Sequence, residues 1–121
     1  MSPSVSPIVS VLIHVADVDA GLDWYARAFP QAARSAANGG SPECLFWNCV
    51  QIELVPADKK VGSGPAGSVV YWKVSNFQAA LDHLLAAGAM LYRGPLEIEN
   101  NESMCQVQDP WGNCIGIRVP R

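Results

Sequence analysis

An internal repeat constrains the fold of this chain more than any other feature of its sequence. Displacing the chain by 59 residues against itself places one strand-like segment, and the helix-like segment that follows it, on a second copy of the same pattern. Six aligned pairs are identical: Val11 and Val70, Val15 and Val74, Ala20 and Ala79, Leu22 and Leu81, Asp23 and Asp82, and Ala28 and Ala87. A repeat of this kind indicates a duplicated structural module.

The first module has the pattern of a βαβββ unit. Residues 8–15 are rich in β-branched side chains, and the apolar residues of 18–29 have helical spacing. Asp17 or Asp19 can cap this helix, and Pro30 ends it. Three short strands are predicted at 33–37, 44–47 and 50–55.

The second module repeats this order after a connector that contains glycine and lysine. A β-rich segment at 68–74 precedes a helix that begins near Phe77 and ends at Gly88. Strands are predicted near 90–92, 104–108 and 114–119. The chain is therefore predicted to be one α+β domain of residues 1–121, with module one at 8–56, a linker at 57–67 and module two at 68–121.

Size, composition and charge limit the class of protein and of partner. The chain has 121 residues, half of them apolar, and contains no apolar run of eighteen residues, so we expect one soluble domain and no membrane partner. The first residues carry Ser and Pro rather than a basic start, which favours the cytoplasm. The net charge of −3 argues against nucleic acid and favours an uncharged or cationic small ligand.

The cysteines favour reduced thiols over a metal site or a disulfide framework. The four residues (Cys44, Cys49, Cys105 and Cys114) occur within or beside apolar strand-like runs. None of them has the C-x-x-C spacing of a structural zinc site. Buried, reduced thiols are the expectation.

Two segments together resemble a known superfamily. Residues 14–29 (HVADVDAGLDWYARAF) follow a strand, and residues 109–117 (DPWGNCIGI) lie near the carboxyl end. They resemble the vicinal-oxygen-chelate superfamily, which includes glyoxalase I, fosfomycin-resistance thiol transferases, extradiol dioxygenases and bleomycin-resistance proteins. The resemblance implies a glyoxalase/bleomycin-resistance-type open barrel, with a ligand in the cup formed by paired halves and usually with a homodimer. Because one fold supports several chemistries, it does not imply a reaction.

The same resemblance allows a test for the superfamily's metal site. Metal-dependent members place His, Glu or Gln on the first strand and near the end of each half. The two first-strand positions hold Ser10 and, in the second half, Ser68 or Val69. The positions near the ends of the halves hold Glu53 and Gly116, so only Glu53 has a metal-ligand side chain. We therefore expect neither a metal nor another cofactor.

Candidate pocket residues follow from strand alternation and the repeat. His14 shares a strand face with Ser10, and it is interpreted as a pocket hydrogen-bonding group or as an internally paired strand histidine. The repeat places Lys73 opposite His14, with Tyr71 on the same face as Lys73. Lys73 either pairs with Glu53 or reaches water from the strand end.

Further candidates lie on the strand before Asp109 and among the tryptophans. Gln106 matches a position that contacts substrate in fosfomycin-resistance relatives, and Met104 is predicted to form an adaptable apolar wall beside it. Trp24 has the spacing of a packed helix residue. Trp47 and Trp72 are expected either in a cup or at a dimer contact.

The leading functional hypothesis is metal-independent binding of a small organic molecule in an aromatic cup, similar to the bleomycin-resistance proteins. The pocket would consist of His14, Glu53, Tyr71, Lys73, Met104 and Gln106. The alternative is a glyoxalase-like lyase or dioxygenase with a non-standard metal or acid/base site built from His14 and Glu53. A third possibility is an interaction module whose cup is filled by its own side chains or by a partner. The residues alone assign no catalytic role.

Overall fold

The computed structural model describes residues 8, 10–35, 43–47, 50–65, 67–98 and 102–119. It divides into two compact units, Met1–Val61 and Gly62–Arg121. No helix in the described part of the chain is long and apolar enough to span a membrane.

The first unit contains one helix and a four-stranded sheet. Its elements are β1 (Ser10–Val15), α1 (Val18–Ala28), β2 (Ala33–Ser35), β3 (Cys44–Trp47) and β4 (Val50–Pro56). The strand order is β1-β4-β3-β2, in which only the β1/β4 pair is parallel. The core is built from Val15, Leu22, Tyr25, Leu45 and Ile52, all of them buried. Burial of the α1 stripe against one sheet face holds this unit together.

The second unit has the same succession of elements. They are β5 (Val70–Lys73), α2 (Phe77–Ala86), β6 (Met90–Ile98), β7 (Glu102–Gln108) and β8 (Cys114–Val119). The strand order is β5-β8-β7-β6, with β5 and β8 parallel. Leu81 and Leu84 of α2 are buried together with Val107, Ile115 and Ile117 of the sheet. The structure thus confirms the predicted pair of βαβββ modules.

Both helices begin at a side-chain cap. The Asp17 carboxylate accepts a hydrogen bond from the Ala20 backbone N–H at 3.1 Å, and the Asn76 side chain accepts one from Ala79 at 3.0 Å. Each bond satisfies a backbone donor that has no partner within the helix. At the other end of α2, Gly88 has a φ of 105°, which suits glycine after a helix end.

The Asp109 turn joins β7 and β8 and is held by a buried carboxylate. Asp109 Oδ1 accepts from the backbone N–H groups of Trp111 at 2.8 Å and Asn113 at 2.9 Å. Asp109 Oδ2 accepts from Asn113 Nδ2 at 3.0 Å, and Asn113 Oδ1 accepts from the Gly64 N–H at 2.9 Å. The Asp109 side chain therefore organises the turn.

Strand β6 is longer than predicted. The sequence indicated a strand near 90–92, whereas β6 continues to Ile98 through Gly94 and Pro95. Its pairing with β7 shifts between Leu91 and Arg93 and again between Arg93 and Leu96. A strand at the edge of a sheet tolerates proline and bulges, because its outer N–H groups need no ladder partner.

Candidate functional site

Four of the predicted site residues lie on one face of the second sheet. Directly paired residues on neighbouring strands point to the same side of a sheet, and so do alternate residues along one strand. Tyr71 pairs with Gly116, which pairs with Gln106, and Lys73 pairs with Arg118, which pairs with Met104. We call this surface, which carries Tyr71, Lys73, Met104 and Gln106, the Tyr71 face.

The Tyr71 ring lies directly over Gly116. A Cβ atom added to Gly116 would lie 2.5 Å from Cδ1 and 2.6 Å from Cε1 of that ring. Cβ atoms do not approach other heavy atoms this closely, so Gly116 is the residue that lets the ring lie flat on β8. The space that a side chain at position 116 would occupy is filled by Tyr71.

Two polar side chains fix the orientation of Tyr71. Gln106 Nε2 donates a hydrogen bond of 2.8 Å to the Tyr71 hydroxyl. The Arg118 guanidinium lies 5.8 Å from the centroid of the Tyr71 ring, within the range of a cation–π interaction. Tyr71 is half-buried and Met104 is buried, so the face combines a positioned aromatic ring with an apolar neighbour.

Lys73 is the last residue of β5, and it is exposed. It lies directly across from Arg118 in the parallel pairing of β5 and β8. Its predicted pairing with Glu53 stays a prediction, because the two residues belong to different units.

The other two predicted site residues lie on one face of the first sheet. Glu53 pairs with Leu12 and His14 pairs with Val55, so both side chains point to the same side. Gln51 precedes Glu53 by two residues on β4 and therefore shares this side. We call this surface, which carries His14, Gln51 and Glu53, the Glu53 face.

A chain of polar contacts crosses the Glu53 face. Gln51 Nε2 donates to Glu53 Oε1 at 3.1 Å and contacts Cys44 Sγ at 3.3 Å. The Ser35 hydroxyl lies 3.3 Å from the same sulfur atom. Gln51 thus orients Glu53, a role that the sequence interpretation missed. The signal was available, because a residue two positions from a candidate on a strand shares its face.

His14 lies where its charge influences Asp58. The Asp58 carboxylate accepts from the backbone N–H groups of Val61 at 2.8 Å and Lys60 at 2.9 Å. These bonds lower the pKa of Asp58, and His14 lowers the same pKa further. His14 is half-buried, lies one residue before the end of β1 and has further interactions in the structure.

Trp24, Trp47 and Trp72 do not lie on the candidate face of their own unit. Trp72 pairs with the buried Ile117, and Trp47 pairs with Val50, which places each of them on the opposite side of its sheet. Trp24 is buried in α1 and makes an edge contact with Tyr25 at 4.9 Å between ring centroids. Trp72 is therefore not on the Tyr71 face, and Trp47 is not on the Glu53 face.

The two thiols of the second unit have raised pKa values. Burial raises the pKa of Cys105, and burial together with the Asp109 carboxylate raises the pKa of Cys114. A raised thiol pKa leaves little thiolate at neutral pH. Within the described residues Cys44, Cys105 and Cys114 are free, whereas Cys49 lies outside them.

The residues present do not fit the metal site that the resemblance implies. Position 116, where a glutamate would stand, holds a glycine under the Tyr71 ring. Ser10 begins β1, and the two candidates for the second-half position, Ser68 and Val69, precede β5; none of the three has a strong metal-ligand side chain. Among the described residues, no three His, Cys, Asp or Glu side chains are grouped closely enough to hold a metal ion.

Comparison with known proteins gives matches of structure but not of sequence. No protein-family model matches the chain, and no curated protein does. A glyoxalase/bleomycin resistance protein/dioxygenase superfamily member from Sphaerobacter thermophilus has a TM-score of 0.74 at 18% identity, over 95% of this chain and 98% of its own. TnmS3, an antibiotic binding protein from Streptomyces sp. CB03234, has a TM-score of 0.75 at 18% identity, over 99% and 100%. A glyoxalase-related enzyme from Fulvimarina pelagi has a TM-score of 0.75 at 18% identity, over 95% and 88%.

These matches cover nearly the full length of the chain, although the sequences have diverged widely. Sequence identities this low carry the fold but not the activity, since one fold supports many functions. The fold predicted from the repeat and from residues 14–29 and 109–117 is confirmed. The chain has the fold of the glyoxalase/bleomycin resistance protein/dioxygenase superfamily.

Proposed function

We propose that the chain binds a small organic molecule without a metal, and that the Tyr71 face forms a principal part of the site. The observation that carries this proposal is the Tyr71 ring, seated on Gly116 with its hydroxyl hydrogen-bonded to Gln106. Binding sites combine apolar surface with a few positioned polar groups. Tyr71, Met104, Gln106 and Lys73 supply that combination.

Metal independence is supported by the chemistry of position 116. A glutamate there would contribute a ligand at the end of the second module, but the ring of Tyr71 fills this space. The aromatic ring offers a stacking surface where a carboxylate would offer a metal ligand. In this proposal Glu53 and His14 contribute hydrogen-bonding groups on the Glu53 face.

Binding of an antibiotic has a precedent among the solved structures. TnmS3, which has the same fold, is described as an antibiotic binding protein. A protein that only sequesters a molecule needs shape and polar complementarity, and no group that stabilises a transition state. The Tyr71 face meets this requirement with its positioned ring and amide.

A thermal-shift screen of small organic molecules in the presence of a chelator tests the proposal. A compound that binds only the folded state raises the melting temperature in a concentration-dependent way. Calorimetric titration of each hit then gives its affinity and stoichiometry. We expect saturable binding that Tyr71→Leu weakens about tenfold, through loss of the hydroxyl contact and of the ring stacking surface.

The control is Val61→Ala, which removes apolar surface from an exposed residue of the first unit that belongs to neither face. This variant should bind as the unchanged protein does. If no compound binds saturably, or if Tyr71→Leu and Val61→Ala bind equally, the proposed site is wrong. The first of these results would favour an interaction module whose cup is filled by other side chains.

A second candidate function is an enzyme that uses His14 and Glu53. The observation that favours it is the hydrogen bond from Gln51, which orients Glu53 on the face that also carries His14. An oriented carboxylate and an imidazole together can transfer a proton from a carbon next to a carbonyl group.

Product analysis separates the two functions. Each screening hit is incubated with the protein and examined by mass spectrometry for chemical change, while elemental analysis measures bound Mn, Ni, Fe and Zn. Conversion that Glu53→Gln abolishes, with binding retained, would establish the enzyme. Recovery of every hit unchanged would leave the binding function.

We also propose a homodimer. Edge strand β6 exposes Met90, Leu91, Tyr92 and Leu96, a set of apolar side chains whose burial against another subunit would be favourable. Analytical ultracentrifugation tests this directly, and a monomer at all accessible concentrations would refute it.

A further inference from the structure

We infer that the ligand of the Tyr71 face is an organic anion with an apolar or aromatic body. This inference rests on the proposed function and specifies its ligand class. It depends on three cationic residues, Lys73, Arg93 and Arg118, which we call the basic cluster.

The strand pairing brings the basic cluster to the Tyr71 face. Lys73 of β5 lies directly opposite Arg118 of β8. Arg93 of β6 lies directly opposite Gln106, the residue that holds the Tyr71 hydroxyl. Partners across a ladder point to the same side, so Lys73 and Arg118 share the surface of Tyr71, and Arg93 borders it at a position where the pairing of β6 with β7 shifts. Both Lys73 and Arg93 are exposed.

Like charges placed directly opposite each other on a sheet repel. An anion bound between Lys73 and Arg118 would reduce the repulsion between these two side chains. The four strands of this sheet contain two acidic residues, Glu97 and Glu102. Glu97 of β6 pairs with Ser103, on the other side of the sheet from Met104, and Glu102 begins β7, two residues before Met104. The local charge of this surface is thus opposite in sign to the charge of the chain.

The Tyr71 hydroxyl adds a donor beside the cations. This hydroxyl accepts its hydrogen bond from Gln106, which leaves its own hydrogen to donate. A donor hydroxyl next to a guanidinium and an ammonium suits a carboxylate, sulfonate, phosphate or phenolate oxygen. The Tyr71 ring and Met104 supply apolar contact for the rest of such a molecule.

This ligand class differs from the one expected from net charge. The value of −3 favoured an uncharged or cationic ligand, because it averages over the whole surface. The basic cluster is a local arrangement created by the pairing of four strands, β5, β8, β7 and β6. A ligand is attracted or repelled by the electrostatic potential at its binding site, and the net charge of the whole chain does not describe that local potential.

Two fluorescent probes that differ by one anionic group test the inference. Anilinonaphthalene sulfonate carries a sulfonate, whereas its parent N-phenylnaphthylamine is uncharged and otherwise closely matched. Both are titrated into the full chain and into Lys73→Gln, Arg118→Gln, Tyr71→Leu and the control Lys59→Gln. Lys59 is an exposed residue of the first unit that does not belong to the Tyr71 face, so its variant makes the same change in net charge without altering that face. Melting temperatures establish that each variant is folded.

We expect the sulfonate to bind about tenfold more tightly than the neutral probe, since charge-assisted hydrogen bonds are the stronger ones. Lys73→Gln should reduce the ratio of the two affinities at least about threefold, and Lys59→Gln should leave this ratio unchanged. Equal binding of the two probes, still dependent on Tyr71, would overturn the anion inference and leave the proposed site intact. Binding of both probes that is unaffected by Tyr71→Leu would overturn the inference and the proposed site together.

Discussion

The Tyr71 ring and Gly116 lie in such close contact that a Cβ atom at position 116 would stand 2.5 Å from the ring. The two residues are direct partners in the parallel pairing of β5 and β8. This contact links the sequence to the proposed function. Glycine at position 116 supplies no metal ligand, and its lack of a side chain leaves room for the Tyr71 ring.

Gly116→Ala should destabilise the protein by about 1–3 kcal/mol, because the added methyl group overpacks against the ring. Urea denaturation measures this change in the free energy of unfolding. Gly62→Ala is the matched control, since a Cβ at Gly62 meets no atom within 4 Å. A second variant with Tyr71→Ala added should recover part of the loss. Equal stability of Gly116→Ala and Gly62→Ala would contradict the described contact.

Asp109→Ala should destabilise the protein by about 2–4 kcal/mol, because backbone donors of the turn lose a charged acceptor in a buried position. The control is Asp82→Ala on the exposed side of α2, where the carboxylate accepts one bond of 2.8 Å from Gln78. That change should cost less than about 0.5 kcal/mol. Similar losses for the two variants, measured by chemical denaturation, would show that Asp109 does not hold the turn.

The Cys105 thiol should resist alkylation in the folded protein, because burial raises its pKa above the ordinary value of 9.0. Iodoacetamide labelling followed by peptide mass spectrometry should show Cys114, which is less buried, reacting faster than Cys105. In urea the two residues should react alike. Faster labelling of Cys105 than of Cys114 in the folded state would be inconsistent with its burial.

The same raised pKa has a consequence for stability at high pH. The folded state holds the Cys105 proton more tightly than the unfolded state does, so this stabilising contribution is fully present below pH 9.0. It is lost as the pH rises through the higher pKa of the folded protein. Comparing the unfolding free energies of the unchanged protein and of Cys105→Ala from neutral to alkaline pH isolates the effect. The unchanged protein should show the steeper decline, and parallel profiles would oppose the assignment.

The elements of the fold were predictable from local chemistry. Asp17 caps α1 as its position before the apolar helical stripe indicated, and α1 ends at Ala28, just before Pro30. The end of β6 was not predictable in this way. Pro95 argues against a strand, and it is tolerated here because β6 is an edge strand whose pairing is interrupted by shifts.

The site was predictable only in part. The alternation of side chains along a strand predicts which residues share a face of the sheet, but not which side chains are in contact. It placed Tyr71 with Lys73, and Met104 with Gln106, on common strand faces. The bond from Gln106 to Tyr71 joins residues 35 positions apart in the chain, and it depends on β8 lying between their strands. Arg118 was missed because its importance comes from its strand partner, Lys73, which no local pattern reveals.

Metal-independent binding at the Tyr71 face is tested most directly by calorimetric titration of one screening hit with and without a chelator, in the unchanged protein and in Tyr71→Leu. We predict one affinity for the unchanged protein under both conditions and binding about tenfold weaker for Tyr71→Leu. The account would be contradicted if chelation abolished binding, added metal restored it, and Tyr71→Leu left the affinity unchanged.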